Sequence, residues 1–271
     1  MLKQLRFLIL ASLWLFSAAG FAQVSLCSWN IQNFGKSKPD SAIDFMAQQL
    51  RKFDVVAVVE VVAGNGGAQA VARLAAALNR TGAKWDYIIS DPTVCSPARC
   101  ERYAYLWKPS RVKKVGEASL DKNFQLEIER EPYLAQFESA GKRFTVACIH
   151  ALPKKQQPET ELKYLQYLPS KYPGQTIIFC GDFNLPESHS VFIPLKTAGY
   201  LTAFKGQRTT LKTKCVGDNC LASEYDNFFY DQKRIQLVQS GVIEFYRSFT
   251  DVRTARRISD HLPVYLKFNL R

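Results

Sequence analysis

The sequence predicts a single α/β domain in which apolar strands alternate with helices ahead of a strand-rich middle. The runs 53–62 (FDVVAVVEVV) and 176–184 (TIIFCGDFN) are short and apolar, as expected of strands that are covered on both faces. Helix-like apolar spacing follows the first strand at 40–52 and the second at 68–79. Because the middle adds strands rather than further helix–strand repeats, a simple doubly wound sheet is disfavoured.

The individual elements follow from periodicity and from turn residues. The predicted strands are 24–31, 53–62, 84–90, 102–108, 132–139, 143–150, 176–184, 225–231, 235–240 and 262–270. The predicted helices are 40–52, 68–79, 156–171 and a short segment that stops at Gly199. Asp40 and Ser188 are the expected caps of the first and last of these helices. With no internal repeat and no linker-like stretch, we expect one domain over 23–271.

Residues 1–22 have the order of a secretory signal peptide. Lys3 and Arg6 precede an apolar run at 7–16, small residues follow, and cleavage is expected after Ala22. The run is shorter than the roughly 20 residues that cross a bilayer. We therefore expect a secreted or periplasmic protein, without stable membrane insertion after cleavage, that acts as a monomer.

The seven cysteines divide by their surroundings. Polar, turn-rich sequence contains two pairs with four residues between the partners: Cys95 with Cys100, and Cys215 with Cys220. Apolar strand-like sequence contains the other three: Cys27, Cys148 and Cys180. An oxidising compartment favours two local disulfides, with cross-pairing between the loops as the alternative. The three apolar positions are expected to be buried free thiols.

The chain is basic, with 36 Lys and Arg against 24 Asp and Glu and a formal net charge of +12. Two of these charges belong to the leader. The remaining excess favours a polyanionic partner such as nucleic acid, and any cleavage of such a partner should weaken as salt rises.

Polar side chains gather where the predicted strands begin or end. They are Asn30, Glu60, Glu101, His150, Asp182, Asn184, Asp226, Asp260 and His261. Carboxylates with an Asn carbonyl suit Mg²⁺, with Mn²⁺ or Ca²⁺ as alternatives. A zinc site on Cys148 and Cys180 would leave most of these acids without a role. A hard divalent ion with two histidines indicates phosphoryl-type hydrolysis, in which one imidazole takes a proton from water and the other protonates the leaving oxygen.

Seven segments occur in the order found in the endonuclease/exonuclease/phosphatase superfamily, and the chain resembles its deoxyribonuclease I branch. They are SWNIQNF, VVEVV, ERYAYLW, IHALP, GDFN, YDNFF and SDHLPV. The resemblance covers residues 25–268, essentially the whole chain after the leader. It implies a four-layer α/β sandwich, with two mixed sheets packed face to face, helices outside, and an active site at one edge of the sheets.

The resemblance also implies a ligand set. Glu60 would be the principal metal ligand, with Asn30 and Asp260 near the ion. Asp182 and Asn184 would contact the scissile phosphate or a second ion, and water activation by Asp182 is the alternative.

The same resemblance pairs His150 with Glu101, and His261 with Asp226, as the acid and base. It does not decide which histidine has which role.

The substrate contacts match the branch less completely. Arg130, in IEREPYLAQF, corresponds to an arginine that lies against the DNA backbone. The branch often has a basic residue two positions after the metal-binding glutamate, where this chain has Val62. Arg99 or Arg102 could replace it.

A basic loop surrounds the second cysteine pair and is either a phosphate contact or an ordinary solvated surface. Its cations are Lys205, Arg208, Lys212 and Lys214. The expected function is a divalent-metal-dependent endonuclease that cleaves DNA with low sequence specificity, and RNA is the alternative nucleic-acid substrate. The alternatives are a sphingomyelinase-like phospholipid phosphodiesterase or a phosphomonoesterase on the same scaffold, and an inactive DNA-binding module.

Overall fold

The computed structural model describes residues 23–64, 66–94 and 100–271. The predicted signal peptide, Cys95 and Arg99 lie outside the described residues. Within those residues, no helix has both the length and the apolar character that a membrane crossing requires.

The described residues form fourteen strands, which are numbered here in chain order. They are β1 Val24–Phe34, β2 Val55–Val62, β3 Asp86–Ile89, β4 Glu101–Trp107, β5 Lys113–Leu120, β6 Tyr133–Ser139, β7 Lys142–His150, β8 Ile177–Asp182, β9 Tyr200–Thr202, β10 Leu211–Val216, β11 Asn219–Leu221, β12 Asp226–Asp231, β13 Ile235–Val242 and β14 Val264–Leu270.

The helices are fewer and mostly short. The α-helices are α1 Asp40–Leu50, α2 Gly67–Asn79, α3 Glu159–Leu162, α4 Leu168–Lys171, α5 Ile193–Thr197 and α6 Val252–Ala255. Single turns of 3-10 helix cover Lys154–Gln156, Lys163–Tyr167, Ser190–Phe192 and Phe245–Ser248.

Two six-stranded sheets contain most of these strands. The first has the order β13-β14-β1-β2-β4-β3 and the second the order β5-β6-β7-β8-β12-β9, while β10 and β11 form a separate hairpin. Both sheets are mixed, since β1 is parallel to β2 and β7 is parallel to β8, whereas their other neighbours are antiparallel. Parallel neighbours end at the same edge of a sheet, so the residues that terminate them are brought together.

Three apolar cores separate four layers. The central core lies between the sheets, where Val59 and Tyr105 of the first meet Phe144 and Phe228 of the second. A second core packs α1 and α2 against the outer face of the first sheet. A third packs the short helices α3 to α5 against the outer face of the second sheet. The predicted four-layer α/β sandwich is confirmed.

The predicted helix over 156–171 is wrong as a continuous element. This stretch is divided into α3, a 3-10 turn and α4. Pro158 precedes α3, and Pro169 lies in the first turn of α4. Each proline lacks the N–H that a continuing helix would use, and this accounts for the interruptions.

Two predicted helix caps are also wrong. Helix α1 begins at Asp40 itself, after Pro39, and has no side-chain cap. The short helical segment near Ser188 is capped by His189, whose Nδ1 accepts a hydrogen bond from the backbone N–H of Val191 at 3.2 Å.

The cysteine predictions agree with the structure where it describes them. Cys215 and Cys220 form a disulfide across the β10–β11 hairpin, and Cys100 is disulfide-bonded. Buried free thiols are found, as predicted, at Cys27, Cys148 and Cys180.

Candidate active site

The polar side chains singled out above converge at one edge of the sandwich. Strand β1 places Asn30 opposite Val59 of β2, and β7 and β8 end side by side with His150 opposite Asp182. Strand β12 begins at the same level, since Asp226 pairs with Asp182. Both sheets therefore contribute polar side chains to this edge.

Glu60 reaches the edge through a local distortion of β2. Its φ of +61° is unusual for a residue other than glycine, and the pairing of β2 with β4 shifts register between Val58 and Val61. Such a bulge re-aims a side chain, and a left-handed φ costs about 1–3 kcal/mol that the surrounding fold must offset. The backbone N–H of Asn33 donates to Glu60 Oε2 at 3.0 Å and fixes the carboxylate.

Asn30 links two carboxylates. Its Nδ2 donates to Glu60 Oε1 at 2.9 Å and to Asp182 Oδ2 at 3.1 Å. Its Oδ1 is buried and has no hydrogen-bond partner among the described residues. Two carboxylates on one amide repel each other, and an unpartnered buried carbonyl is costly, so a cation here would relieve both penalties. The residues present fit a hard divalent ion.

Asp182 lies between the two histidines. Its Oδ2 is 3.6 Å from Nε2 of His150 and 3.6 Å from Nε2 of His261. The Nε2 atom of His150 is also 3.8 Å from Glu60 Oε1. Both imidazoles therefore turn the same nitrogen toward one point of the site, leaving the other nitrogen for a partner.

The first partner is Glu101, at the start of β4. Its Oε1 lies 2.7 Å from Nδ1 of His150, and its Oε2 accepts from Arg130 Nη1 at 3.4 Å. The Arg130 guanidinium also donates to the carbonyl of Ala151, and its side chain is only 11% exposed. Arg130 therefore lies beside the Glu101–His150 pair, with little surface available for a long contact with DNA.

The second partner is Asp226, at the start of β12. Its Oδ2 lies 2.8 Å from Nδ1 of His261 and accepts from the hydroxyl of Thr209 at 2.7 Å. Thr209 is fully buried, and its carbonyl accepts from the N–H of Leu262 at 2.7 Å. Thr209 thus connects the loop before β10 to both members of this pair.

Opposing effects set the pKa values of the site. Burial lowers the pKa of His150, but Glu101 outweighs it and the pKa is raised, with Arg130 working against the rise. Burial also opposes the charged form of His261, but Asp226 and Asp182 raise its pKa to about 10. Burial would raise the pKa of Glu60, whereas the facing His150 and the hydrogen bonds to its carboxylate lower it overall.

The Asp260 carboxylate has two hydrogen-bond donors of its own at the edge of the site. Its Oδ2 accepts from Gln32 Nε2 at 3.0 Å and from Arg256 Nη2 at 3.2 Å. Gln32 and Arg256 were not among the predicted site residues. The position of Gln32, two residues after Asn30 on β1, is the signal that could have identified it.

Two further residues hold the frame of the site. The hydroxyl of Ser259, which is fully buried, donates to the carbonyl of Asn30 at 2.6 Å and accepts from the N–H of His261 at 3.1 Å. The Nδ2 of Asn184 donates to the carbonyl of Ala151 at 2.9 Å. Asn184 therefore secures the turn that follows His150, beside Asp182.

The other proposed substrate contacts have different positions. Arg102 donates to the carbonyl of Ser90 at 2.6 Å and to that of Ala63 at 3.3 Å, so its guanidinium secures neighbouring loops. The exposed Lys205, Arg208 and Lys214 lie on or beside the β10–β11 hairpin, which is joined to the site by a bridge between Thr210 and His261.

The zinc alternative does not match the geometry. Cys148 and Cys180 face the core between the sheets, away from the histidine nitrogens. In the part of the chain that the structure describes, the side chains that bring three ligand atoms within 4.8 Å of one another are Asp182, Asp226 and His261.

A family model and curated relatives both match most of this chain. The model of the endonuclease/exonuclease/phosphatase family matches residues 27–261. A deoxyribonuclease of Thioalkalivibrio sp. (strain K90mix) is 32% identical over 94% of this chain and 73% of its own length. Deoxyribonuclease gamma of Rattus norvegicus is 28% identical over 95% of this chain and 89% of its own length.

Solved structures share the fold at low sequence identity. A Bacteroides thetaiotaomicron protein of the endonuclease/exonuclease/phosphatase family superposes with a TM-score of 0.66, at 16% identity, over 91% of this chain and 97% of that one. The human Nocturnin catalytic domain gives 0.64, at 15% identity, over 92% of this chain and 95% of that one. At these identities the likeness concerns the fold alone.

Proposed function

Because the chain belongs to the endonuclease/exonuclease/phosphatase family, we propose that this hydrolase of phosphodiester bonds is a divalent-metal-dependent endonuclease that cleaves DNA with little sequence preference. One observation carries the proposal: two imidazoles, each held at Nδ1 by a carboxylate, point Nε2 at the same Asp182 oxygen from 3.6 Å. Proton transfer on both sides of a phosphate needs two such groups.

The two histidines divide the proton transfers. One Nε2 takes a proton from the attacking water, and the other gives a proton to the leaving oxygen. Glu101 and Asp226 fix the tautomers, because each carboxylate accepts a hydrogen bond from the N–H at Nδ1 and leaves Nε2 facing the substrate. Asp182 lies close to both Nε2 atoms, a position from which it can orient the water between them.

Glu60 and Asn30 would hold the divalent ion, with Asp260 nearby. When bound, such an ion offsets negative charge on the phosphate. The Asn33 N–H fixes the Glu60 carboxylate, and the side-chain amide of Asn30 donates hydrogen bonds to both Glu60 and Asp182. Mg²⁺ is the expected ion on the basis of the oxygen ligands, and Mn²⁺ and Ca²⁺ are the alternatives to test.

The substrate is inferred to be DNA from the names of the relatives together with the charge of the chain. The relatives reported above are named as deoxyribonucleases. The exposed cations lie on or beside the β10–β11 hairpin, near Thr210, which bridges to His261, and they would contact phosphates without reading bases. RNA remains a substrate to test in parallel.

Export of the protein is part of the same proposal. The leader-like order of residues 1–22 and the disulfide between Cys215 and Cys220 both suit an oxidising compartment outside the cytoplasm. Sequencing the amino terminus of protein recovered from the periplasm and medium should find Gln23 first. Recovery of the intact leader in the cytoplasmic fraction would contradict export.

Nicking of supercoiled plasmid DNA tests the activity. We expect the wild-type protein to relax the plasmid with Mg²⁺, Mn²⁺ or Ca²⁺ and to stop when EDTA is added. His189→Ala is the matched control for substitutions of the other two histidines, because His189 caps a 3-10 turn whose Phe192 packs in the core outside the second sheet. An intact plasmid under all three ions would overturn the proposal.

A further inference from the structure

We propose that a cavity beside the active edge binds one unpaired nucleotide of the substrate strand, next to the scissile phosphate. The inference rests on the proposed DNA cleavage. The cavity lies between the β1–α1 segment and the segment that precedes β14, and its volume is about 630 Å³. The lining residues that carry the argument are Gln32, Asn33, Phe45, Phe249, Arg256 and Arg257.

The cavity is continuous with the active edge. Gln32 and Asn33 line it at one end. The same two residues bond the carboxylates of the site, Gln32 to Asp260 at 3.0 Å and the N–H of Asn33 to Glu60 at 3.0 Å. A strand whose phosphate lies at the site therefore has this cavity as a neighbour.

The charge of the lining suits a phosphate. Lys38, Arg256 and Arg257 contribute cations, and among the described residues that line the cavity none carries a carboxylate. Lys38 Nζ is engaged with the carbonyls of Arg257 and Ile258, and Arg256 is engaged with Asp260. Arg257 is exposed and is the cation assigned to the nucleotide phosphate.

Two acids close in sequence to lining residues have partners of their own. Asp40 forms an ion pair with Arg73, and Asp251 accepts hydrogen bonds from Thr254. The cavity therefore has a positive character that favours an anionic ligand.

Two aromatic rings suit a base. Phe45 and Phe249 are half-buried, and their centroids lie 5.0 Å apart at an interplanar angle of 63°. Bases stack on such rings without regard to their identity. The hydroxyls of Ser37 and Ser41 add polar groups to the same wall.

The volume of the cavity suits a single nucleotide. Pockets for small ligands span roughly 300–1,000 Å³, so a nucleotide fits in volume. A base stacked inside a duplex cannot enter a side cavity without leaving its partner. The protein should therefore bind and cleave single-stranded DNA better than duplex DNA.

Binding of thymidine 3′,5′-bisphosphate, measured by calorimetry in EDTA, tests the cavity without requiring turnover. Wild-type protein should bind this nucleotide more tightly than inorganic phosphate, because only the nucleotide offers a base to the rings. Phe249→Leu should weaken nucleotide binding about tenfold, the loss of one stacking contact, and leave phosphate binding unchanged. Arg257→Gln should weaken both ligands.

Arg51→Gln is the matched control, since Arg51 is an exposed arginine at the far end of α1. It should bind both ligands as the wild type does, and thermal melts should show all variants folded. Equal affinity of the nucleotide for wild type, Phe249→Leu and Arg257→Gln would overturn the inference. So would equal affinity of the wild type for nucleotide and phosphate.

Cleavage assays separate this inference from the proposed function. Wild-type protein should cleave a single-stranded oligonucleotide faster than the matching duplex, and Phe249→Leu should reduce that preference. If the wild type cleaves no DNA but binds the nucleotide as described, the proposed function fails and the cavity stands. If it cleaves DNA without single-strand preference and the variants change nothing, the cavity assignment fails alone.

Discussion

His150 and His261 face the same oxygen of Asp182, at 3.6 Å in each case, yet their carboxylate partners have different surroundings. Glu101, the partner of His150, also contacts the cation of Arg130. Asp226, the partner of His261, also accepts a hydrogen bond from the neutral hydroxyl of Thr209, within the part of the chain that the structure describes. The His150 pair therefore has a second positive charge beside it, whereas the His261 pair has a neutral hydroxyl beside it.

The difference predicts that the two imidazoles, although held in similar geometry, have unequal proton affinities. A neighbouring guanidinium disfavours a second positive charge, so Arg130 opposes protonation of His150. Among the described residues, no cation is a leading cause of the pKa shift of His261, whose pKa Asp226 and Asp182 raise to about 10 against the effect of burial. The predictions below test this asymmetry, from the largest expected effect to the smallest.

Replacing either carboxylate partner should cause the largest loss of activity. In Glu101→Gln and Asp226→Asn, the amide can donate to Nδ1 and favour the wrong tautomer of the imidazole. We expect each to lower the rate of plasmid nicking by about 10²–10⁴, the usual range for acid–base groups. Asp231→Asn, at the other end of β12, is the matched control and should keep its activity. Near-normal rates in either active-edge variant would contradict the pairing.

Removing Arg130 should destabilise the protein more than removing the Thr209 hydroxyl. Arg130→Gln leaves the buried Glu101 without its cation, a loss of about 3–5 kcal/mol in buried pairs. Thr209→Val leaves Asp226 without one neutral donor, a loss of about 1–3 kcal/mol. Urea unfolding of both variants at neutral pH measures the difference. An equal or reversed order would remove the distinction between the two networks.

Only some of the residues in these two networks could be predicted from the sequence. Glu60 lies within an apolar run, His150 and Asp182 end theirs, and His261 precedes one, and that local signal marked all four as candidate site residues. Thr209 gave no such signal, because its role depends on a contact with Asp226 formed when a loop folds back. The edge strand β5 was also missed, since its exposed and charged residues lack the alternation of a half-buried strand.

One of the remaining differences from the predictions has a local cause that is visible in the sequence. Pro158 and Pro169 marked the breaks within the predicted helix at 156–171. The inward position of Arg130 could not be read from its segment, because its partners Glu101 and Ala151 come from other strands and turns.

The two imidazoles should lose their protons at different pH values in the metal-free protein. His150 should titrate first as pH rises, and His261 near pH 10. Because the folded pKa of His261 is raised, its contribution to stability is complete below about pH 6.5, the unfolded value, and is lost as pH rises toward 10. NMR titration in EDTA checks which imidazole loses its proton first. In His261→Asn, the unfolding free energy should fall less steeply as pH rises, and this checks the contribution of His261 to stability.

A contact between the basic hairpin and phosphate should have the smallest effect. Lys214→Gln should reduce the slope of log affinity for DNA against log salt by about 1, the expectation for one lost phosphate contact. Lys113→Gln, an exposed lysine at the end of β5 away from the site, is the control. Equal slopes for the two variants would identify the hairpin as an ordinary solvated surface.

The most direct test of the two-histidine edge compares plasmid nicking by His150→Ala, His261→Ala and the double variant under one divalent ion. If both imidazoles serve the same chemical step, each single variant should lose most of the activity, and the double variant should be little slower than the worse single one. If either single variant nicks DNA at a near wild-type rate, the shared role of the two imidazoles is contradicted.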